Sequence, residues 1–202
     1  MNGMVLKSWG GLIAFKYRVI YVDPPWKFET YSGNGGNRAV PYPTMTLDGI
    51  KALRPADLAH EDCLLAMWVT DPFLAHAMDV LWDWGFDYKT VGFTWVKPAK
   101  RLADTISSGD MAAHFPIGMG HYTRANPEMC LFATRGSPKI LDHAVRQLIV
   151  APKREHSRKP DRVRDDLMRL CRGPYVELFA RQRTAGWDAW GNEADRFGGG
   201  DE

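Results

Sequence analysis

The sequence predicts an α/β domain in which a mostly parallel central sheet carries helices on both faces. Segments typical of strands alternate along the chain with segments typical of helices, and several of the strands are continuously apolar. A continuously apolar strand is buried on both of its faces, which is typical of a covered parallel sheet. The length of 202 residues fits a single domain, residues 1–202, with a frayed tail at about 197–202.

The first half of the chain predicts two strands and two helices. The first strand, Val19–Val22, is β-branched and stopped by two prolines. Residues 27–44 form a long loop rich in glycine and proline, and loops of this length are usually lids or binding loops. A short helix is expected over residues 46–53 and a second strand over residues 63–70. Asp71-Pro72 then opens a helix that reaches Trp84, because proline suits a first helical turn.

The second half predicts four further strands and one helix. Strands are expected at residues 89–96, 128–134, 147–151 and 175–179, with a long irregular stretch over residues 99–120. A helix begins at Pro160, and its residues Val163, Leu167 and Leu170 share one face. In such sheets ligands bind beyond the carboxyl ends of the strands. The first candidates for function therefore follow the strands, at residues 23–26, 70–71, 97–98, 135–136, 153–159 and 180–183.

Composition excludes several classes of protein. Charged residues make up 25% and hydrophobic residues 45% of the chain, the usual mixture of a soluble globular protein. No membrane span is expected, because the longest apolar run, Cys63–Val69, is far shorter than the roughly 20 residues required. Three widely spaced cysteines argue against a disulfide framework, and with no recognisable secretory signal they favour the cytoplasm. The sequence contains neither a CxxC pair nor clustered histidines, so it gives no indication of a metal site.

Charge gives a mixed indication of the partner. The net charge of +2 does not by itself mark a nucleic-acid binder. Residues 153–172, however, contain eight basic and four acidic side chains. This stretch is either a phosphate-binding patch or a solvated helix face with its loop.

The strongest functional signal is the tetrad Asp23-Pro24-Pro25-Trp26 at the end of the first strand. A tetrad of this type arises by chance about once per hundred chains of this composition. The two prolines withhold backbone donors and leave carbonyl oxygens to accept. A carboxylate and a proline carbonyl can accept the two hydrogens of an exocyclic amine, and the indole offers a face for stacking. The tetrad predicts a pocket for a flipped-out base; the alternative is a rigid turn with a core tryptophan.

Together with later motifs, the tetrad resembles the DPPW-type adenine-N6 methyltransferases, the family of the catalytic subunit of the messenger-RNA adenosine methyltransferase. The resemblance runs from about Val19 to Glu193. Besides the tetrad it rests on residues 41–45, 65–70, 95–97, 120–122, Glu128, 157–161, 177–181, Trp187 and 191–192. No single later motif is decisive, but their order and spacing together are specific.

The resemblance implies a Rossmann-like fold that uses S-adenosylmethionine and methylates the adenine amine directly, without a covalent enzyme intermediate. In this family the tetrad precedes most of the cofactor-binding region, which fits the lack of a glycine-rich loop after the first strand. The implied catalytic residues are Asp23, Pro24, Pro25 and Trp26. The implied cofactor-binding residues are Asp23, Lys159, Glu177, Phe179, Arg181 and Asn192. The implied substrate-binding residues are Trp26, Tyr42, Lys97 and Glu128.

The chemistry agrees with these assignments. Oxygen acceptors at Asp23 and Pro24 stabilise positive charge on the adenine amine as the methyl group arrives, so neither a metal nor a nucleophilic side chain is expected. Several residues have structural alternatives: Lys159 as a solvated lysine, Glu177 and Arg181 as an exposed ion pair, and Tyr42 as a loop anchor.

The predicted function is N6 methylation of adenine in nucleic acid, and the resemblance favours DNA, because compact single-domain members of the family suggest DNA as the substrate. The alternatives are RNA adenosine methylation, a catalytically silent nucleic-acid-binding partner subunit, and methylation of a free nucleotide. Silent relatives lose the aspartate or the aromatic residue of the tetrad, and this chain keeps both. A monomer or a homodimer is expected, with no membrane partner.

Overall fold

The computed structural model describes residues 4–27, 43–99, 115, 122–155 and 158–195, without the side chains of residues 5–7. The described strands are β1 Val5–Leu6, β2 Leu12–Ile13, β3 Tyr17–Val22, β4 Ala59–Val69, β5 Asp87–Val96, β6 Glu128–Arg135, β7 Leu148–Val150, β8 Tyr175–Leu178 and β9 Trp187–Trp190. The α-helices are α1 Leu47–Lys51, α2 Leu74–Asp83 and α3 Arg162–Leu170. Within these ranges none of the helices has the length and apolarity that a membrane span requires.

Seven strands form one sheet in the order β7-β5-β6-β4-β3-β8-β9, and β1 and β2 pair separately as a short antiparallel ribbon. All neighbouring pairs of the large sheet are parallel except the two that β6 makes with β4 and β5. The expectation of a mostly parallel sheet is therefore confirmed. Because β6 runs backwards, its first residue, Glu128, lies at the edge where the other strands end. Residues 135–136, expected at that edge, lie at the opposite one, and this expectation was wrong.

Two apolar layers cover the sheet, and successive residues of each central strand alternate between them. In β3, Ile20 and Val22 pack in the layer that contains the buried faces of α1 and α2. Val19 and Tyr21 pack in the layer that contains α3. The helices therefore lie on both faces, as predicted. Burial on both faces explains why β3 and the second half of β4 read as continuous apolar runs.

The edges of the sheet differ from the sequence prediction. Strand β9 was not predicted, because its residues Trp187–Trp190 contain no continuous apolar run and only Trp187 is buried. It joins the sheet by parallel pairing with β8. Strand β4 begins at Ala59, four residues before the predicted Cys63, in a half that is only partly buried.

Two helical connections place strands on opposite sides of β3. The chain leaves β3 through α1 on one face to reach β4, and it returns through α3 on the other face to reach β8 on the opposite side of β3. Such a reversal opens a crevice at the carboxyl ends of the strands, where α/β proteins bind ligands. Asp23, the first residue after β3, lies at this point.

Gly136 is expected to tolerate alanine poorly. Its φ of 63° is left-handed, and an added Cβ would lie 2.3 Å from the carbonyl oxygen of Glu61. Gly85 is a matched control, since its φ is 76° but its nearest neighbour, the Cβ of Ala56, would be 3.8 Å away. We expect Gly85→Ala to lower the free energy of unfolding by about 1 kcal/mol and Gly136→Ala by roughly 2–3 kcal/mol, in urea titrations. Equal losses would show that the close approach of the Glu61 carbonyl is unimportant.

Candidate active site

Four charged side chains meet at the carboxyl edge of the sheet: Asp23, Lys159, Glu128 and Lys97, here called the charge cluster. The Nζ atom of Lys159 lies 2.9 Å from Oδ2 of Asp23 and 3.1 Å from Oε2 of Glu128. The Nζ atom of Lys97 lies 2.6 Å from Oε1 of Glu128. The four residues come from the ends of β3 and β5, the start of β6 and the segment before α3. The structure thus brings together four of the predicted site residues that are far apart in sequence.

The charge cluster is withdrawn from solvent, which determines its electrostatics. The side chain of Lys159 is only 10% exposed. Burial lowers the pKa of Lys159, but Asp23 and Glu128 outweigh burial, so its pKa lies above the usual range and the ammonium stays charged. Burial raises the pKa of Glu128, but Lys159 and Lys97 outweigh it and hold that pKa at about 2. The Glu128 carboxylate is therefore ionised at neutral pH.

Asp23 behaves differently from Glu128. Burial raises the pKa of its carboxyl group, and this effect exceeds the opposing influence of the Lys159 ammonium. Arg181, beyond the end of β8, also acts to lower the pKa of Asp23. A carboxylate with a raised pKa is a better proton acceptor than an exposed one.

Two buried tryptophans support the lysines of the charge cluster. The Nζ atom of Lys159 lies 5.4 Å from the ring centroid of Trp68, and that of Lys97 lies 4.9 Å from the ring centroid of Trp95. Contacts of this kind attract a cation to the face of the ring. The indole N–H of Trp68 donates a hydrogen bond to the Tyr21 hydroxyl oxygen at 2.6 Å, which fixes the ring. Both tryptophans lie in segments that carry the family resemblance, but neither was predicted as a site residue, although each is the penultimate residue of a strand that ends at the site.

Asn126 is a third residue of the site that the sequence did not predict. Its side chain accepts a hydrogen bond from the backbone N–H of Lys97 at 2.9 Å and donates one to the Lys97 carbonyl at 3.0 Å. The amide therefore continues the pairing of β5 and β6 by one residue. This fixes the backbone of Lys97 beside Glu128.

The proline pair of the tetrad forms a turn whose carbonyls are in use. The Pro24 carbonyl accepts from the backbone N–H of Trp26 at 2.8 Å, and the Pro25 carbonyl accepts from that of Met45 at 2.9 Å. The expectation that these carbonyls are free was therefore wrong. A carbonyl oxygen has two lone pairs, however, so each retains one acceptor position.

Trp26 occupies the hydrophobic core. Its side chain belongs to the layer of α1 and α2 and is 4% exposed. The indole N–H donates to the Trp68 carbonyl at 3.2 Å, and the ring stacks on Phe73 with centroids 5.3 Å apart. The expectation that Trp26 offers an open face to a base was wrong. The turn directs the indole back against the sheet, which is the alternative that the sequence left open.

Trp26→Phe tests this packing role. Phenylalanine keeps a ring against Phe73 but leaves the buried Trp68 carbonyl without its donor. We expect the free energy of unfolding to fall by roughly 1–3 kcal/mol in urea, with the KM for nucleic acid changed less than about threefold. A large rise in KM with unchanged stability would restore the role of a stacking platform.

Glu177 has a different partner from the one predicted. It lies inside β8 rather than at its end, and its carboxylate accepts from Nε and Nη2 of Arg164 at 2.7 and 2.8 Å. Both side chains are buried. Glu177 thus forms a bidentate ion pair with Arg164 beneath the site, and its role in binding the cofactor stays a prediction.

The other predicted cofactor residues lie at the ends of β8 and β9. Phe179 has a φ of 59° and packs edge-on against Trp190, 5.3 Å between centroids. Arg181 pairs with Glu193 at 2.9 Å, and Asn192 is exposed. Gly191 lets the two strand ends meet, since an added Cβ would lie 2.7 Å from the Ala180 carbonyl oxygen. These residues share the edge that carries Asp23, and their roles remain predictions.

Two further predicted features are Tyr42 and the basic stretch 153–172. Tyr42, predicted to contact the substrate, lies outside the described residues. Within the basic stretch 153–172, most cations pair with carboxylates, which leaves little unpaired positive charge for a phosphate-binding patch. The paired residues are Arg154, Arg158, Lys159, Arg162, Arg164 and Arg169.

Known proteins resemble this chain over most of its length. The model of the MT-A70 family matches residues 17–193. A type II methyltransferase from Mycoplasma sp, M.MunI, is 33% identical over 198 residues, which cover 88% of this chain and 78% of that protein. A putative N(6)-adenosine-methyltransferase MT-A70-like protein from Medicago truncatula is 34% identical over 88% of this chain and 26% of its own length. The N(6)-adenine-specific methyltransferase METTL4 of Mus musculus is 31% identical, over 90% and 38% respectively.

Proposed function

The chain belongs to the MT-A70 family, and from this premise we propose that it transfers a methyl group from S-adenosylmethionine to the N6 amine of adenine in nucleic acid, with DNA as the favoured substrate. The observation that carries the proposal is the position of Asp23, at the point where the sheet connections reverse and 2.9 Å from Lys159. DNA is favoured because the chain spans 78% of the type II methyltransferase but only about half of the relatives named RNA methyltransferases.

The residues at this edge fit the proposed methyl donor. S-adenosylmethionine carries a carboxylate, an ammonium and a sulfonium, and it supplies an activated methyl group. The charge cluster offers both signs of charge, so the carboxylate and the ammonium of the amino-acid part of the donor can each exchange partners with it. Lys159 would hold the carboxylate. Phe179, Arg181 and Asn192, at the neighbouring strand ends, would contact the ribose side.

Asp23 and Pro24 would activate the amine. An adenine amine is a poor nucleophile because its lone pair is delocalised into the ring. Lys159 binds Oδ2 of Asp23, and no donor among the described residues contacts Oδ1. Oδ1 and the remaining lone pair of the Pro24 carbonyl would accept the two amine hydrogens, favour a pyramidal nitrogen and stabilise its growing positive charge. Asp23, with its raised pKa, would take up the proton that the nitrogen releases.

The test is a methylation assay on the purified full chain. The protein is incubated with isotopically labelled S-adenosylmethionine and matched single- and double-stranded DNA and RNA oligomers, which are then digested for nucleoside mass spectrometry. The proposal expects labelled N6-methyldeoxyadenosine. Labelled N6-methyladenosine from RNA alone would replace DNA by RNA as the substrate. Label in neither polymer, from a protein that is folded, would contradict the proposed activity.

A further inference from the structure

Arg154 lies outside the charge cluster, but it contacts both Lys159 and Asp161, the residues on either side of Pro160. Its Nη1 donates to Oδ2 of Asp161 at 2.7 Å, and its Nη2 donates to the backbone carbonyl of Lys159 at 3.1 Å. The planar guanidinium makes both contacts at once, which the single ammonium of a lysine cannot reproduce in the same geometry. Arg154 therefore links a carboxylate and a backbone group on either side of Pro160.

Asp161 provides a firm anchor for this link. Its Oδ1 accepts from Nη1 of Arg164 at 3.1 Å, and Arg164 is itself held by the buried carboxylate of Glu177. Gln182 donates to the same oxygen at 3.4 Å. Although burial raises the pKa of Asp161, the hydrogen bond and charge of Arg154 outweigh it and keep the pKa below the usual range. Asp161 is therefore ionised and tied to the core of the domain.

Lys159 needs such support because no regular structure holds its backbone. It lies in neither a helix nor a strand, and Pro160 after it has no backbone N–H. Its long side chain must nevertheless place one ammonium between two carboxylates, 2.9 and 3.1 Å away. A small shift of the Lys159 backbone would move the ammonium out of reach of one of them.

We infer that Arg154 is a positioning residue, which holds Lys159 in the charge cluster by bridging the Asp161 carboxylate and the Lys159 carbonyl. The inference rests on the proposed function for its consequence, since a correctly placed Lys159 would be needed to bind the methyl donor. The bridge consists only of contacts between residues of this chain. It can therefore be measured separately from activity.

The first measurement needs no ligand. Trace acetylation followed by mass spectrometry reports the reactivity of Lys159, with Lys16 as an internal reference. We expect Arg154→Ala to increase the acetylation rate of Lys159 at least fivefold and Arg154→Lys to do nearly the same. Millimolar guanidinium should partly reverse the effect in Arg154→Ala. Lys153→Ala is the matched control, because it removes a neighbouring exposed charge that has no ion pair among the described residues.

The second measurement is the Kd of S-adenosylhomocysteine by calorimetry. We expect it to rise at least tenfold in Arg154→Ala and Arg154→Lys and to be unchanged in Lys153→Ala. An unchanged Lys159 rate in Arg154→Ala, or equal changes in Arg154→Ala and Lys153→Ala, would overturn the inference. If the Lys159 rate rises as expected while the wild-type protein binds no S-adenosylhomocysteine, the bridge stands and the proposed function fails.

Discussion

Replacing Asp23 by asparagine is expected to lower kcat by at least about 100-fold, the loss typical of removing one group that stabilises charge in a transition state. Asparagine has nearly the same shape, and its amide oxygen can still accept from Lys159. It lacks the negative charge that would stabilise the methylated nitrogen and take up its proton. Because Lys159 keeps a partner, the Kd of S-adenosylhomocysteine should change by no more than a few-fold.

The measurement is the rate of formation of N6-methylated nucleoside under saturating substrates. Asp142→Asn is the matched control, since Asp142 is also a carboxylate with a cationic partner, in its case Arg169, but lies at the surface away from the charge cluster. We expect this control to retain normal kcat. An Asp23→Asn protein with more than a tenth of normal turnover would refute the role assigned to the carboxylate.

Glu177→Ala is expected to lower the free energy of unfolding by about 3–5 kcal/mol, because Nε and Nη2 of the buried Arg164 guanidinium lose their partner while Nη1 keeps its contact with Asp161. The loss would appear as a shift of the urea midpoint. The double variant Arg164→Met/Glu177→Leu removes both charges and should recover most of that stability, since apolar groups of similar volume often replace a buried ion pair without loss.

An exposed ion pair supplies the control for Glu177. Arg183 pairs with Asp195 at 2.7 Å, and both side chains are largely exposed. Arg183→Ala should cost less than about 1 kcal/mol. If Glu177→Ala cost no more than this control but raised the Kd of S-adenosylhomocysteine, Glu177 would act on the cofactor, as the resemblance implies, rather than on stability.

Local sequence patterns predicted the elements of the fold better than their arrangement. The apolar runs of β3 and β4 identified buried strands, and the tetrad identified the site at the end of β3. The direction of β6 was not predictable, because the same apolar run suits either direction of pairing. The short β9 was missed because its identity as a strand depends on its neighbour β8 rather than on its own pattern.

The positions of the site side chains were predictable only where they depend on the strand end that carries them. Asp23, Lys97, Glu128 and Lys159 meet because their segments share one edge of the sheet. Trp26 was misassigned because its partner, the Trp68 carbonyl, lies elsewhere in the sequence. The ion pair of Glu177 with Arg164 was not foreseen for the same reason. An exposed tryptophan and a core tryptophan have the same local sequence. Only long-range packing distinguishes them.

The reversed direction of β6 has a consequence for how this architecture can diversify. Because β5 ends and β6 begins at the edge that carries Asp23, with Trp95 paired to Glu128, the connection between them departs from and returns to the same side of the sheet. Its length and charge can change over evolution without disturbing any strand register. This connection can therefore diverge while Asp23, at the end of β3, keeps its place in the sheet.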